Sequence, residues 1–351
     1  MPGDREKRGL LQVPVEHIDP TAFDAVLLVE AMGRTAFQAR NLARACEVYH
    51  QMLDDRDCTI VLCLAGSLVS AGLGRTIAVL LEHGMTDAVV ATGANIVDQD
   101  FFEALGFRHY LGSPDADDNV LRELHIDRIY DTFIDEDELR ICDHTVAEIA
   151  DGLPPRAYSS REFVREMGRW LVDQDKGAGS ITRLSYEKGI PIFCPAFSDS
   201  SAGFGLVYHQ WQRPDRHLAI DSVRDFLELT KIKIASRETG LVMVGGGVPK
   251  NFAQDMVVAA DVLGIDAPMH KYAIQITVAD VRDGGLSGST LKEASSWGKV
   301  AQGREQMVYA EATLALPLLV SYAYHKGAWK TRAEKRLGEH LDSADPTPGR
   351  C

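Results

Sequence analysis

Along this chain, short unbroken runs of apolar residues alternate with longer stretches in which apolar positions recur every three or four residues. The runs are "CTIVLCL" (58–64), "DAVVAT" (87–92), "PIFCPAF" (191–197), "LVMVGGG" (241–247) and "YAIQITV" (272–278). A strand that is apolar at nearly every position buries both faces, which happens in a parallel sheet covered by helices on two sides. Helical patterns fall at roughly 69–84, 160–174, 220–232, 249–263 and 305–324. Alternation of the two element types predicts an α/β fold with a doubly wound, mostly parallel sheet.

Two stretches depart from this pattern. Residues 112–138 carry Asp115, Asp117, Asp118, Asp127, Asp131, Asp135, Glu136, Asp137 and Glu138. They are expected to form a solvated acidic insertion, near 112–150, rather than a sheet element. From about residue 331 the chain reads "TRAEKRLGEHLDSADPTPGRC" and has too few apolar residues to pack, so 331–351 is expected to be a mobile tail. Residues 1–330 then form a single domain.

Composition narrows the function. With 45% hydrophobic and 25% charged residues, the 351-residue chain falls in the ordinary globular range. Its formal net charge of −14 excludes a nucleic-acid partner, which would need clustered Lys and Arg, and suits a cationic ligand or simply a solvated surface. No apolar run reaches the roughly 18 residues of a membrane span, and the N-terminal stretch has no secretory apolar segment, so a cytoplasmic protein without membrane partners is expected. The six cysteines form no CxxC pair, which predicts neither a metal site nor a disulfide framework.

The chemistry gathers at the strand ends. In open α/β sheets ligands bind at the carboxyl ends of strands, where glycine lets the backbone approach and helix N-termini offer N–H groups. The turns "LAGSLVSAG" (Ser67, Ser70), "ATGANIVDQD" (Thr92, Gly93, Asp98), "GGGVPKNF" (Gly246, Asn251) and "ADVRDGGLSGST" (Ala279, Asp283, Gly284, Leu286, Ser287) all follow predicted strands. None spells G-x-G-x-x-G, so the ordinary dinucleotide fingerprint is missing. Asp98 and Glu311 suit ribose hydroxyls and suit an exposed helix surface equally well. In "EASSWGKV" (293–300), Lys299 stands two residues after Trp297 and six after Glu293. Either Trp297 is a core anchor along which the lysine lies, or its ring walls a dry pocket in which a neutral amine acts as a nucleophile.

Taken in order, "GSLVSAGLGRTI", "MTDAVVATG", "PIFCPAFSDSSAGFG", "GGGVPK" and "EASSWGK" resemble the deoxyhypusine synthase family from about residue 58 to 324. The resemblance implies a Rossmann-like fold, NAD as cofactor, a small amine or polyamine substrate, and a homotetramer with active sites at a dimer interface. It implies transfer of an aminobutyl group from a donor such as spermidine to an acceptor amine through an imine on the catalytic lysine. Lys299 matches that lysine, with Trp297 as pocket wall and Glu293 as amine anchor. By the same resemblance Ser67, Ser70, Thr92, Gly93, Asp98, Asp199, Ser201, Gly246, Ala279, Asp283, Gly284 and Glu311 are cofactor positions, Glu311 standing where the family has an aspartate.

Three substrate positions depart from the family. Phe204 and Leu286 replace aspartates that grip amines, and Asn251 replaces a catalytic histidine. A charge-assisted hydrogen bond contributes roughly 1.5–3 kcal/mol, so losing two is expected to weaken spermidine by about two orders of magnitude or more. The pocket with Phe204, Leu286 and Ser287 is therefore expected to take its donor in another pose. Open alternatives are a homospermidine-synthase-like enzyme, an amine dehydrogenase, and a non-catalytic NAD- or polyamine-binding protein.

Overall fold

The computed structural model of the chain describes residues 2–343. Its strands are β1 (Cys58–Leu64), β2 (Ala88–Ala91), β3 (Tyr110–Leu111), β4 (Ile126–Ile129), β5 (Thr132–Asp135), β6 (Ala157–Tyr158), β7 (Ile192–Phe193), β8 (Ala219–Ile220), β9 (Glu238–Val244), β10 (Tyr272–Thr277) and β11 (Glu305–Tyr309). Six of them pair in parallel in the order β11-β10-β9-β1-β2-β7. Counted along the chain, that is the 3-2-1-4-5-6 order of the Rossmann fold. The two-sided burial inferred from the apolar runs is present. On β1, Ile60, Leu62 and Leu64 pack into one core, and Val61 and Cys63 pack into a second core across the sheet.

The five predicted strands occur within a few residues of their expected limits, β7 being much the shortest. The predicted helix 305–324 is instead β11 followed by the helix Ala312–Lys326. As an edge strand β11 has one buried residue, Val308, so "EQMVY" carries no continuous apolar run to give it away.

The acidic insertion also contains sheet, against expectation. Strands β3, β5 and β4 pair antiparallel around Leu121, Ile126 and Phe133. Its carboxylates cap helices rather than merely face water: Asp117 accepts from the N–H of Asn119, and Asp135 from those of Asp137 and Glu138, starting the helices Asp118–Glu123 and Glu136–Asp151. The longer helix crosses Ser201–Gln212 closely, because a Cβ on Gly205 would lie 2.5 Å from the carbonyl oxygen of Asp143.

The stretch from residue 331, expected to be mobile, is docked as far as 343. The Arg332 guanidinium meets the buried Asp87 carboxylate at 2.6 Å and also donates to the carbonyl oxygens of Gly84, Met52 and Cys58. Leu337 and Leu341 pack against the second core, and Asp342 reaches Arg161 at 2.7 Å. Few apolar residues suffice because buried ion pairs carry the attachment. Residues 344–351, including Cys351, lie outside the described residues, and the other five cysteines are buried free thiols. Among the described residues no helix is long and apolar enough to cross a membrane.

Removing one partner of a buried ion pair leaves the other charge unpaired, at a cost of about 3–5 kcal/mol. Arg332→Met is therefore expected to lower unfolding free energy by about that amount in urea titrations, whereas a tail that is not docked would leave the midpoint unchanged.

Candidate active site

The strand order reverses between β1 and β9, and there the connections leave the sheet in opposite directions and open a crevice. Beside it the Ala65 N–H donates to the Val244 carbonyl at 3.0 Å, and Gly245 adopts φ +78° with its Cα against the Ala65 side chain. The row continues in both directions. Thr92 and Asn95 both donate to the Gly66 carbonyl, and Gly93 lies against Ser200. On the other side Gly246 packs against Ser287, and Gln275 ties the carbonyls of Gly245 and Ser287 together. Turns from five strands thus form one continuous edge.

The predicted cofactor positions lie along this row, and several already have partners. The helices after β1 and β2 begin as wide turns, Val69–Leu73 and Ala94–Phe101, of the π type that recurs at functional sites. Asn95 and Gln99 accept from the N–H groups of Leu68 and Ser70, and the Ser70 hydroxyl donates to the Ser67 carbonyl. Asp98 accepts from the Ser201 N–H at 2.6 Å, and burial pushes its carboxyl upward from the usual range. Asp283 accepts from Gly285, Glu311 caps the next helix through Thr313, and the Ala279 N–H donates to Thr277. Asp199 stays exposed at the turn before Ser201.

Gly66 and Gly284 have φ +77° and +74°, and a Cβ on either would meet nothing within 4 Å. These glycines accommodate no protein neighbour and leave the edge open for a ligand to approach the backbone. That is what a dinucleotide needs. The residues present fit NAD, which Ser67, Thr92, Gly246, Asp283 and Glu311 would hold.

The lysine loop follows the helix Leu291–Ser296 and runs beside the start of β10, where the His270 N–H donates to the Lys299 carbonyl. Lys299 Nζ lies 2.5 Å from Oδ1 of Asp255, whose Oδ2 accepts from the Asn251 amide at 2.8 Å. The Trp297 ring centroid is 5.3 Å from the same Nζ. Trp297 is 68% exposed, which rules out its reading as a core anchor, and Lys299 sits in an ion pair rather than in a dry pocket. Glu293 is exposed at the start of the helix Leu291–Ser296, its N–H capped by Thr290. Phe204 and Leu286 are exposed too, at 60% and 47%.

Two charged residues here escaped sequence reasoning. Asp255 follows Asn251 by four residues, the spacing that puts both on one face of the helix Gly247–Val262. Lys250, inside "GGGVPK", is buried and clamps the glycine-rich loop by donating to the Leu286 carbonyl at 3.1 Å and to Ser289. Burial pulls its ammonium down to about 8, with Lys299 lowering it further and Glu293 opposing.

The sheet order and glycine-lined edge define a Rossmann-like α/β chain, and the helix that starts at that edge carries Asp255, the partner of a loop lysine of the kind able to form Schiff bases. Comparison with known proteins identifies the group. The family model for deoxyhypusine synthase matches residues 27–323, and the chain belongs to that family of transferases. A deoxyhypusine synthase-like protein of Chlorobaculum parvum is 62% identical over 339 residues, covering 96% of this chain and 97% of the relative. One from Coxiella burnetii is 60% identical over 344 residues, covering 98% and 97%. A solved structure from Entamoeba histolytica, a candidate deoxyhypusine synthase, aligns with TM-score 0.57 at 20% identity over 89% of this chain and 97% of that one, a likeness of fold.

Because Lys250 keeps its proton less well folded than unfolded, the folded chain binds fewer protons between about pH 8 and its ordinary 10.5. Its burial penalty is then fully present below about 8 and fades as pH rises. Measured against Lys250→Met in urea at a series of pH values, the wild type is expected to gain on the order of 1–3 kcal/mol of relative stability from pH 8 to 10. A pH-independent gap would contradict the placement of this ammonium.

Proposed function

We propose that this chain is a cytoplasmic, NAD-dependent transferase that moves an aminoalkyl group from a small amine donor to an acceptor amine through an imine on Lys299. The observation that supports it is the pairing of a loop lysine with a carboxylate on the helix that starts at an open, glycine-lined edge. Bound NAD would supply the hydride acceptor and, later, the hydride donor. Ser67, Thr92, Gly246, Asp283 and Glu311 would hold it, and Asp98 would position the helix that begins at Ser201.

Lys299 would attack the carbon of the oxidised donor, forming the new C–N bond as the donor's diamine fragment departs. The acceptor amine would then displace Lys299 by the reverse exchange. Trp297 would shield one side of the reacting carbon, and Glu293 would hold a distal ammonium of the substrate. With Phe204 and Leu286 apolar, the donor would lie differently from spermidine in the family's usual pose, and a small-amine acceptor of the homospermidine type is the second reading. Phe204, Val207, Tyr208 and Trp211 form an exposed stripe on Ser201–Gln212, 45–81% accessible, which would be covered by a second copy in a homotetramer.

Borohydride reduction after incubation with NAD and a panel of spermidine, homospermidine, putrescine and agmatine is expected to add an alkyl mass to Lys299, and to add none in Lys299→Ala. No adduct from any amine, in protein that binds NAD by calorimetry, would favour a non-catalytic binding protein. Separately, Trp211→Asp is expected to lower the particle mass in light scattering, and an unchanged mass would remove that helix face from the interface.

A further inference from the structure

We propose that Asp255 is an anchor for a primary ammonium of the substrate, and that the incoming ammonium takes this carboxylate away from Lys299. The inference rests on the imine chemistry proposed for Lys299. Both oxygens of Asp255 are engaged: Oδ1 meets Nζ at 2.5 Å, and Oδ2 is held by Asn251 of the same helix at 2.8 Å. Asn251 therefore acts as a positioning residue that fixes the carboxylate plane. The pair remains accessible, with 26% of the Asp255 side chain and 13% of the Lys299 side chain exposed.

The position now filled by Nζ is built for a cation. It lies against a carboxylate and 5.3 Å from the Trp297 ring centroid, two features that favour an alkylammonium over a neutral group. The other charges close by are Lys250 on the same helix and Glu293 on the facing one, and the Lys250 ammonium is already disfavoured by that of Lys299. Oδ1 of Asp255 is already taken by Nζ, so a substrate ammonium reaches it by displacing the lysine.

The exchange links recognition to reaction. The exchange frees Nζ from its carboxylate, and the proton that Nζ must give up to act as a nucleophile passes to water. The ligand class is an alkyl di- or polyamine with a primary ammonium, because an alcohol of the same length cannot compete for Asp255.

Isothermal titration of 1,4-diaminobutane into the whole protein tests this without turnover. Asp255→Asn is expected to bind about 10-fold or more weakly, corresponding to one charge-assisted contact. Lys299→Met is expected to bind several-fold more tightly, since the resident competitor is gone. Unchanged affinity in Asp255→Asn, or no gain in Lys299→Met, would overturn the proposal. Should Asp255→Asn fail to fold, Asn251→Ala is expected to weaken the diamine by a smaller factor, and unchanged binding there overturns it equally. These affinities are read independently of any adduct on Lys299, so loss of the transfer reading and loss of the anchor are separate results.

Discussion

The close approach of β1 and β9 is the constraint on which the other features depend. These strands pair over their whole length, and their successors run to opposite sides of the sheet. At the crevice between them Gly245 takes a left-handed conformation against Ala65. Any side chain at Gly245 would be strained at φ +78° and would crowd the Ala65 methyl. From that contact the row of turns extends to Ser200 on one side and Ser287 on the other, so one packing solution sets the floor of the whole site.

Onto that floor the chain places a dense set of opposed charges. The helix Gly247–Val262 starts at the glycine turn and carries Lys250, Asn251 and Asp255 within its first three turns, Lys250 meeting the glycine-rich loop and Asp255 meeting Lys299. The buried ammonium of Lys250 holds the loop at Leu286 and Ser289, while Asp255 holds its reactive end. The Lys250 clamp and the carboxylate that pairs with Lys299 share one helix, and a shift of that helix moves both.

Much of the fold was legible in the sequence because burial on both faces leaves continuous apolar runs, as in β1, β2 and β10. β11 escaped because an edge strand keeps polar residues, and the small antiparallel sheet escaped because the carboxylates around it cap helices while looking like a solvated charge run. The docking of Arg332 was hidden for a related reason, its partner Asp87 being 245 residues away in sequence. At the site the motifs located Lys299, Trp297 and the glycine turns. They did not reveal Asp255, because a carboxylate at helical spacing after Asn251 reads as an exposed surface charge until the lysine loop folds over it. Nor could a sequence indicate that Asp98 already accepts from the distant Ser201 N–H, and Asp283 and Glu311 from N–H groups two residues on.

The central claim is that Lys299 and the open sheet edge act together in oxidation and transfer of an amine. The most direct measurement is stopped-flow absorbance of reduced nicotinamide in a single turnover, mixing protein and NAD with a diamine or polyamine donor and then adding an acceptor amine. The account predicts a rise that persists without acceptor and decays when acceptor is supplied. Absence of any rise across the amine panel, or a rise that acceptor never discharges, would contradict it.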